Sequence, residues 1–222
     1  MRTLHQLPLS PQCREVRLAL AEKRLDIVLT GEEGWSDGAA FLKLNPAGTV
    51  PVLVEADGNA VAERSAILEY LEEAYPTPSL LPGSPRARAE IRRLVCWFDG
   101  KFNAEVSAPL LFERLDKRVL RMGSPDMGVV RTALEHLNTH LAYIGELADQ
   151  RKWLGGDTFS LADIAAGAHL SCIDYLGDVP WPQHPRAKDW YARIKSRPAF
   201  RPLLSDHISG VQPPRSYTDL DF

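Results

Sequence analysis

A proline-containing stretch at residues 45–53, Asn-Pro-Ala-Gly-Thr-Val-Pro-Val-Leu, restricts the possible folds of this chain more than any other segment. Asn-Pro and Ala-Gly are turn-forming pairs, and the β-branched and apolar residues after them favour a strand. Because proline cannot donate a hydrogen bond to a sheet, Pro51 belongs at the start of that strand or on a bulge. The junction predicts a cis Val50–Pro51 bond that turns the backbone of Val50 outward, free to pair with an extended ligand. An ordinary loop before a strand is the alternative.

The composition fits a globular protein with one large domain or two small ones. The chain has 222 residues, 45% of them hydrophobic, and 26 basic against 29 acidic residues leave a formal net charge of −3. Nothing in this balance points to nucleic acid or to an anionic membrane, so a partner must be recognised by a local patch. We therefore expect no nucleic-acid binding.

The cysteines argue against a metal site or a disulfide framework. Cys13, Cys96 and Cys172 lie far apart without CxxC spacing, which favours a reducing compartment. The chain has no signal peptide and no apolar stretch near the length of a membrane span. We expect a cytoplasmic protein with no metal and no membrane insertion.

The first 75 residues have the pattern of a β-α-β unit followed by a hairpin and a helix. Ser10 before Pro11 is a strong helix start, and the apolar stripe of that helix contains Val16, Ala19 and Leu20. We expect the charged residues around this stripe to face solvent: Arg14, Glu15, Arg17, Glu22 and Lys23. Strands are expected at 3–7, 25–29, 50–55 and 59–62, and a second helix at 66–74.

A linker and a helical domain follow. Residues 76–85 contain four prolines and a glycine, and beyond them apolar residues recur every three or four positions. The expected organisation is an α/β domain at 1–75, a linker at 76–85, an all-α bundle at 86–204 and a tail at 205–222.

A capping box is expected at Ser160 and Asp163. Ser160 can cap a helix while Asp163, three residues later, accepts from the backbone N–H of the cap, with Phe159 and Ile164 placed as a hydrophobic staple. Its role is structural, and losing the Asp163 side chain should cost about 1 kcal/mol of stability.

Three segments together resemble the soluble glutathione transferases: the helix starting at Ser10, the stretch at 45–53 and the capping box at 160–163. The resemblance implies an α/β thioredoxin-like N-terminal domain followed by an all-α C-terminal helical bundle. In that family the residue before the cis-proline, here Val50, pairs with the backbone of glutathione. Glutathione is therefore a possible ligand, and Pro51 belongs to its site.

The resemblance also implies a hydroxyl for catalysis. Ser10 occupies the position from which the family donates a hydrogen bond to the glutathione sulfur, and the N-terminus of the helix adds positive potential there. Cys13, one turn further on, is the second choice as nucleophile, with a pKa lowered by the same helix end. The alternatives are that Ser10 is only a helix cap and that Cys13 is buried.

The clasp for the γ-glutamyl end of glutathione departs from the family pattern. That pattern has an acid followed by a serine, whereas here Glu63 is followed by Arg64, and Ser65 is displaced by one. One residue rotates a helical side chain by about 100°, which aims Ser65 away from the pocket. Arg64 could bind the γ-glutamyl carboxylate instead, or it could fill the site and pair with Glu63.

The C-terminal tail is rich in prolines and ends in alternating aromatic, acidic and apolar residues. It looks like a docking peptide or a strap over the protein's own surface, the alternative being a poorly ordered terminus. It resembles the ending of glutathione-transferase-like cell-division proteins of alphaproteobacteria. That group implies a homodimer that binds FtsZ filaments and links them to septal wall synthesis.

If FtsZ is the partner, local charged groups must recognise it, because the net charge is slightly negative. The expected partner-binding residues are a basic cluster near the last helix and the end of the tail: Arg186, Arg193, Lys195, Arg197, Arg201, Asp219, Asp221 and Phe222. A solvated helix face with paired charges is the simpler interpretation.

Two functions follow from these patterns. The first is a non-catalytic dimeric adaptor that requires no cofactor, binds FtsZ and other division proteins, and works in the cytoplasm at the division site. The second is a glutathione-dependent transferase or peroxidase that uses Ser10. A third function, binding RNA polymerase as the starvation-protein branch of the family does, has no support here beyond the fold.

Overall fold

The computed structural model describes residues 1–31 and 38–220. The contacts divide the chain into two compact units, the first covering residues 1–80 and the second beginning at Leu81. The division lies inside the proline-rich segment at 76–85. In the described residues, we find no helix with the length and apolar character needed to cross a membrane.

The first unit is a small mixed sheet with helices. Its elements are β1 (Arg2–Gln6), α1 (Pro11–Glu22), β2 (Ile27–Gly31), α2 (Ala39–Leu44), β3 (Val52–Val54), β4 (Ala60–Ala62) and α3 (Arg64–Ala74). The four strands lie in the order β2-β1-β3-β4, with β1 parallel to β2 and the other pairs antiparallel. The predicted thioredoxin-like order is confirmed. The sequence pattern does not predict α2, because six residues are too few to show a helical period.

Helix α1 is buried on its charged side as well as on its apolar stripe. The prediction that its charges face solvent is wrong for four residues: Arg14, Glu15, Arg17 and Lys23. A charged group can be buried when its hydrogen bonds are satisfied. Arg14, for example, donates through Nε to the carbonyl oxygen of Pro8 at 2.7 Å.

Lys23, just after α1, ties residues beyond position 75 into the first unit. Its Nζ donates to the carbonyl oxygens of Tyr75 and Pro78 at 2.7 and 2.9 Å. The same ammonium lies 2.7 Å from the carboxylate of Glu72. The end of α1 is therefore completed by residues that the sequence pattern assigns to the linker.

The second unit is a helical bundle, as predicted. Its helices are α4 (Pro85–Cys96), α5 (Ala108–Leu111), α6 (Lys117–Val119), α7 (Met127–Gln150), α8 (Leu161–Leu176) and α9 (Pro185–Lys195), with short 3-10 turns at Trp181–Gln183, Arg201–Ser205 and Arg215–Tyr217. Helix α8 is central, because its residues 161–175 are all buried. Small side chains let its neighbours approach: a Cβ at Gly167 would lie 3.2 Å from Ile194.

The run from α4 to α6 is helical without interruption but contains two stretches of wider pitch. π-Helical stretches, Trp97–Ser107 and Phe112–Asp116, flank the short α5. Pro109 lies in α5 and cannot donate to the carbonyl one turn earlier. Wider i→i+5 turns on both sides of the proline keep the run helical.

Residues 205–220, which we call the C-terminal strap, pack back onto the second unit. The Tyr175 hydroxyl donates to the carbonyl oxygen of Val211 at 2.7 Å and accepts from Ile208 N at 3.0 Å. Tyr217 is fully buried and donates to the carbonyl oxygen of Leu203 at 3.0 Å. A poorly ordered terminus is therefore the wrong interpretation for these residues, which form a strap over the chain's own surface.

Candidate functional site

The loop before β3 is held in shape by the side chain of Asn45. Its Nδ2 donates to the carbonyl oxygen and to Oγ1 of Thr49 at 2.8 and 3.0 Å, and its Oδ1 accepts from Ala47 N at 3.1 Å. The Val50–Pro51 peptide bond is cis, as predicted. The loop that carries Val50 is therefore braced by its own hydrogen bonds.

Glu63, just before α3, has a strained backbone with φ 72°. Few non-glycine residues adopt this region, and such strain is concentrated at binding sites. Its exposed carboxylate accepts from Thr49 Oγ1 at 2.7 Å. This bond joins the start of α3 to the loop that carries Val50. The loop that carries Val50 and the predicted clasp residue Glu63 therefore lie side by side.

Arg64, at the family's serine position, faces a carboxylate that the sequence does not predict. Its Nε lies 3.7 Å from Oε2 of Glu15 on α1, while Glu63 is engaged with Thr49. Glu15 is fully buried, and a buried carboxylate is strongly stabilised by a nearby cation. The Arg64 guanidinium therefore neutralises a carboxylate inside the first unit. Ser65, one residue after the family's serine position, is exposed.

Ser10 caps α1 and is hydrogen-bonded on both sides. Its Oγ accepts from Cys13 N at 3.3 Å and donates to Oε1 of Gln12 at 3.1 Å. A hydroxyl that activates a thiol must donate a hydrogen bond to the sulfur. Ser10 would have to release Gln12 before it could do so.

Cys13 differs from its predicted state. The residue is completely buried, and burial raises the pKa of its thiol, although the hydrogen bond with Ser10 acts in the opposite direction. The prediction of a lowered pKa is wrong because desolvation disfavours the thiolate more than the helix end favours it. Cys13 is a core residue.

Two members of this site are not predicted from the sequence. Thr49 lies inside the motif at 45–53, so its place near the clasp could be suspected from the pattern. Glu15 carries no such signal, since its role depends on the packing of α1 and α3. Thr49 binds the Glu63 carboxylate, and Glu15 lies beside the Arg64 guanidinium.

In the second unit, two predicted arginines form one cluster with aromatic rings. The Arg193 guanidinium lies 5.1 Å from the Trp153 ring and donates to the carbonyl oxygen of Lys152 at 2.8 Å. That of Arg197 lies 5.6 Å from the same ring and 3.9 Å from the Phe159 ring. Stacking fixes a guanidinium while leaving in-plane N–H donors for an anion. We call Arg193, Arg197 and Trp153 the arginine stack.

The other predicted cations are arranged differently. Arg186 is exposed and paired with Asp149, and Arg201 is exposed. Lys195 is fully buried and does not belong to a surface cluster. Its Nζ donates to the carbonyl oxygens of Ser216 and Asp219 in the C-terminal strap at 3.1 and 2.6 Å. The prediction of Lys195 as a contact residue is corrected, because its ammonium holds the strap.

The acidic end of the tail is only partly described. Asp219 is exposed and its backbone carbonyl binds Lys195. Asp221 and Phe222 lie outside the described residues.

The capping box at the start of α8 is built into a larger buried network. Oδ2 of Asp163 accepts from Ser160 N at 3.1 Å, while Oδ1 accepts from Leu154 N at 2.9 Å and from Trp190 Nε1 at 3.0 Å. Asp163 is completely buried, and burial raises its pKa to about 6. One carboxylate therefore connects the preceding loop, α8 and α9.

The family follows from both units. Residues 9–74 match the N-terminal domain of glutathione S-transferases, and residues 103–193 match their C-terminal domain. The chain belongs to the glutathione S-transferase family, with the thioredoxin-like and all-α domains of that fold.

Some relatives share more than half of their sequence with this chain. The chain is 51% identical to "FtsZ-localized protein A" of Caulobacter vibrioides over all of this chain and 98% of the relative. The solved structure of "FzlA from C. crescentus" superposes with a TM-score of 0.96 at 51% identity, covering 100% of this chain and 99% of the other. A glutathione S-transferase structure from Rhodospirillum rubrum F11 superposes with a TM-score of 0.98 at 57% identity, covering both chains fully.

Proposed function

We propose that this protein is a non-catalytic adaptor that binds FtsZ filaments and regulates constriction during cell division. The observation that carries the proposal is its 51% identity, over its full length, to a protein named for its localisation with FtsZ. No cofactor is required for this role. The adaptor acts as a homodimer in the cytoplasm at the division site, where it meets FtsZ and further division proteins.

The geometry of the first unit supports the absence of catalysis. The Ser10 hydroxyl donates to Gln12, and Arg64 stands 3.7 Å from Glu15 where the family has a hydroxyl for the γ-glutamyl group. Glutathione would need both groups to change partners. Binding energy used to reorganise the site would not be available to stabilise a thiolate.

The arginine stack is the proposed contact with FtsZ, together with the exposed Arg186 and Arg201. Arginine held against an aromatic ring suits carboxylate-rich surfaces, because less conformational freedom is lost on binding. Asp219, Asp221 and Phe222 at the end of the chain are proposed as a second contact. Lys195 contributes indirectly by holding the strap that leads to them.

Co-sedimentation with FtsZ polymers tests this function. The native protein should pellet with polymers at low salt, and Arg193→Ala combined with Arg197→Ala should reduce the bound fraction several-fold. Arg131→Ala, an exposed arginine on α7, is the matched control. Absence of co-sedimentation by the native protein at low salt would contradict the adaptor function.

A glutathione-dependent transferase or peroxidase is the second candidate. The cis Val50–Pro51 bond, the strained Glu63 and the glutathione S-transferase from Rhodospirillum rubrum at 57% identity favour it. Retention on immobilised glutathione and conjugation of a model electrophile test it directly. If both occur and Ser10→Ala abolishes conjugation, the protein is an enzyme. Conjugation that survives Ser10→Ala would exclude Ser10 as the activating group.

A further inference from the structure

The large exposed apolar side chains of the described residues are concentrated at one end of the second unit. Six of the eleven lie between positions 112 and 129: Phe112, Val119, Leu120, Met122, Met127 and Val129. Leu120 is 65% exposed and Met122 is 56% exposed. Scattered exposed apolar residues are normal, but a contiguous group in one segment indicates a contact surface.

Five of these six residues lie in one exposed stretch at the junction of α6 and α7. Residues 118–129, which we call the tip, are all exposed. The turn is shaped from within, because Leu120 N donates to the carbonyl oxygen of Asp116 and Met122 N to that of Lys117, both at 2.8 Å. A Cβ added at Gly123 would meet no atom within 4 Å. The turn therefore has open space around Gly123, and the side chains of Leu120 and Met122 on either side of Arg121 are exposed.

The charges around the tip are mainly positive. Arg118 and Arg121 are exposed, and neither forms an ion pair with another described residue. Of the nearby acids, Glu113 is engaged: it accepts from Lys117 Nζ and from Asp126 N, both at 2.6 Å. Asp126 in turn caps α7 by accepting from the backbone N–H groups of Gly128 and Val129.

A cleft beside the tip adds a place for an anion. Its lining contains Arg114, Lys117, Arg118, Arg121 and Ser124, together with Glu113. Lys117 pairs with Glu113 and Arg114 with Asp178, so Arg118 and Arg121 are the lining cations without an ion pair among the described residues. Two guanidinium groups suit a phosphate, which accepts several charge-assisted hydrogen bonds. Lipid headgroups present such a phosphate at the depth where apolar chains begin.

We propose that the tip docks on an anionic lipid bilayer. Leu120 and Met122 enter the interfacial region, and Arg118 and Arg121 contact lipid phosphates. Protruding apolar residues need either a partner with a matching pocket or a fluid surface that needs none. The combination of exposed apolar side chains and two arginines that form no ion pair with a described residue favours the fluid surface. Binding through so few residues is peripheral and reversible.

Vesicle co-sedimentation tests the proposal with the full-length protein. Phosphatidylcholine vesicles are compared with vesicles in which part of the lipid is replaced by phosphatidylglycerol, at low and high salt. Only the anionic vesicles should bind. Arg118→Ala and Arg121→Ala should each weaken binding about five-fold, and Leu120→Ser with Met122→Ser should weaken it about ten-fold or more.

Controls separate the tip from the rest of the surface. Arg88→Ala and Leu42→Ser change an exposed arginine and an exposed leucine elsewhere, and both should bind vesicles like the native protein. All variants should keep the native melting temperature, because the substituted side chains are exposed.

Three results would overturn the proposal. Equal binding to neutral vesicles would remove the role of the arginines. Unchanged vesicle binding by the leucine and methionine variant would show that the protein is held by general charge attraction. If polyglutamate also displaced the protein from the vesicles, the partner of the tip would be an acidic protein. A tip variant that changes the sedimentation coefficient would show that the tip is an interface between two copies of the chain.

Discussion

The Arg64 guanidinium lies 3.7 Å from the Glu15 carboxylate, which joins the first turn of α3 to the buried face of α1. Glu15 is fully buried, whereas the Arg64 side chain is 19% exposed. The contact therefore neutralises a carboxylate in the interior with a cation at its edge. It also occupies the position from which this family holds the γ-glutamyl group.

Arg64→Ser should destabilise the protein because it removes a cation beside the buried Glu15. We expect a loss of about 2 kcal/mol, below the roughly 3–5 kcal/mol for a fully buried pair, since Arg64 is partly exposed. Adding Glu15→Gln should recover most of the loss, because the carboxylate charge that Arg64 faces is gone. Urea unfolding measures both. No recovery in the double variant would show that the two residues are not coupled.

The same double variant tests the chemistry of the clasp. With serine at position 64 and the cation removed, glutathione affinity measured by calorimetry should rise above that of the native protein. Arg88→Ser, which changes an exposed arginine on α4, should leave it unchanged. Equal affinity in all three proteins would mean that Arg64 does not obstruct the clasp.

Lys195→Met should release the C-terminal strap. The substitution removes donors to the carbonyl oxygens of Ser216 and Asp219, with an expected cost of about 2–3 kcal/mol, as for hydrogen bonds to a charged group. Limited trypsin digestion should then cut after Arg215 faster than in the native protein. Lys152→Met, an exposed lysine of the same unit, is the control and should not change the cleavage rate.

Asp163→Ala should cost more than a helix cap alone. An exposed cap is worth about 1 kcal/mol, but Asp163 also accepts from Leu154 N and Trp190 Nε1 inside the protein. Leaving buried donors unsatisfied raises the expected loss to about 3 kcal/mol or more. Asp126→Ala removes the exposed cap of α7 and should cost about 1 kcal/mol. Equal losses in urea unfolding would show that the buried network adds nothing.

His140 should make stability depend on pH. Burial lowers its pKa below the ordinary 6.5, although Glu105 acts in the opposite direction. Its Nδ1 accepts from Trp97 Nε1 at 3.1 Å, so the folded state favours the neutral ring. Below about pH 6.5 the unfolded chain binds a proton that the folded chain resists, and stability falls as the pH falls. Above that value the contribution is complete.

Unfolding free energies measured across this pH range check the effect. His140→Gln should flatten the curve below pH 6.5, while His184→Gln, at a second histidine with a pKa lowered by burial, gives a separate contribution. Asp163 and Asp178 have pKa values raised to about 6, so their stabilisation is lost as the pH rises from 3.8 through 6. The effect of His140 is therefore read from the difference in unfolding free energy between the variant and the native protein at each pH. An unchanged curve for His140→Gln would contradict the assignment.

The parts of the fold that could be predicted from the sequence are those with local signals. Turn pairs, strand alternation and the cap at Ser10 indicate the order of elements in the first unit, and helical periodicity indicates the bundle. The burial of Arg14 and Lys23 could not be read in this way. Their partners include backbone carbonyls whose positions depend on tertiary packing.

The candidate site shows the same division. The cis Val50–Pro51 bond follows from a contiguous motif at 45–53. The partner of Arg64 does not, because Glu15 is distant in the chain and belongs to a helix face that looks solvent-exposed by its composition. A cluster of basic residues in the sequence likewise does not show which side chains are exposed. Arg193 is exposed, whereas Lys195, two positions later, is buried.

The bonds of Lys23 and Glu72 extend the first unit beyond the end of α3. A fragment cut at residue 75 would keep the buried ammonium but lose the carbonyl of Pro78 that it binds. It would also lose Leu80, whose N–H donates to Glu72 at 2.9 Å. Exchange of this unit between related proteins therefore has to carry the chain through position 80.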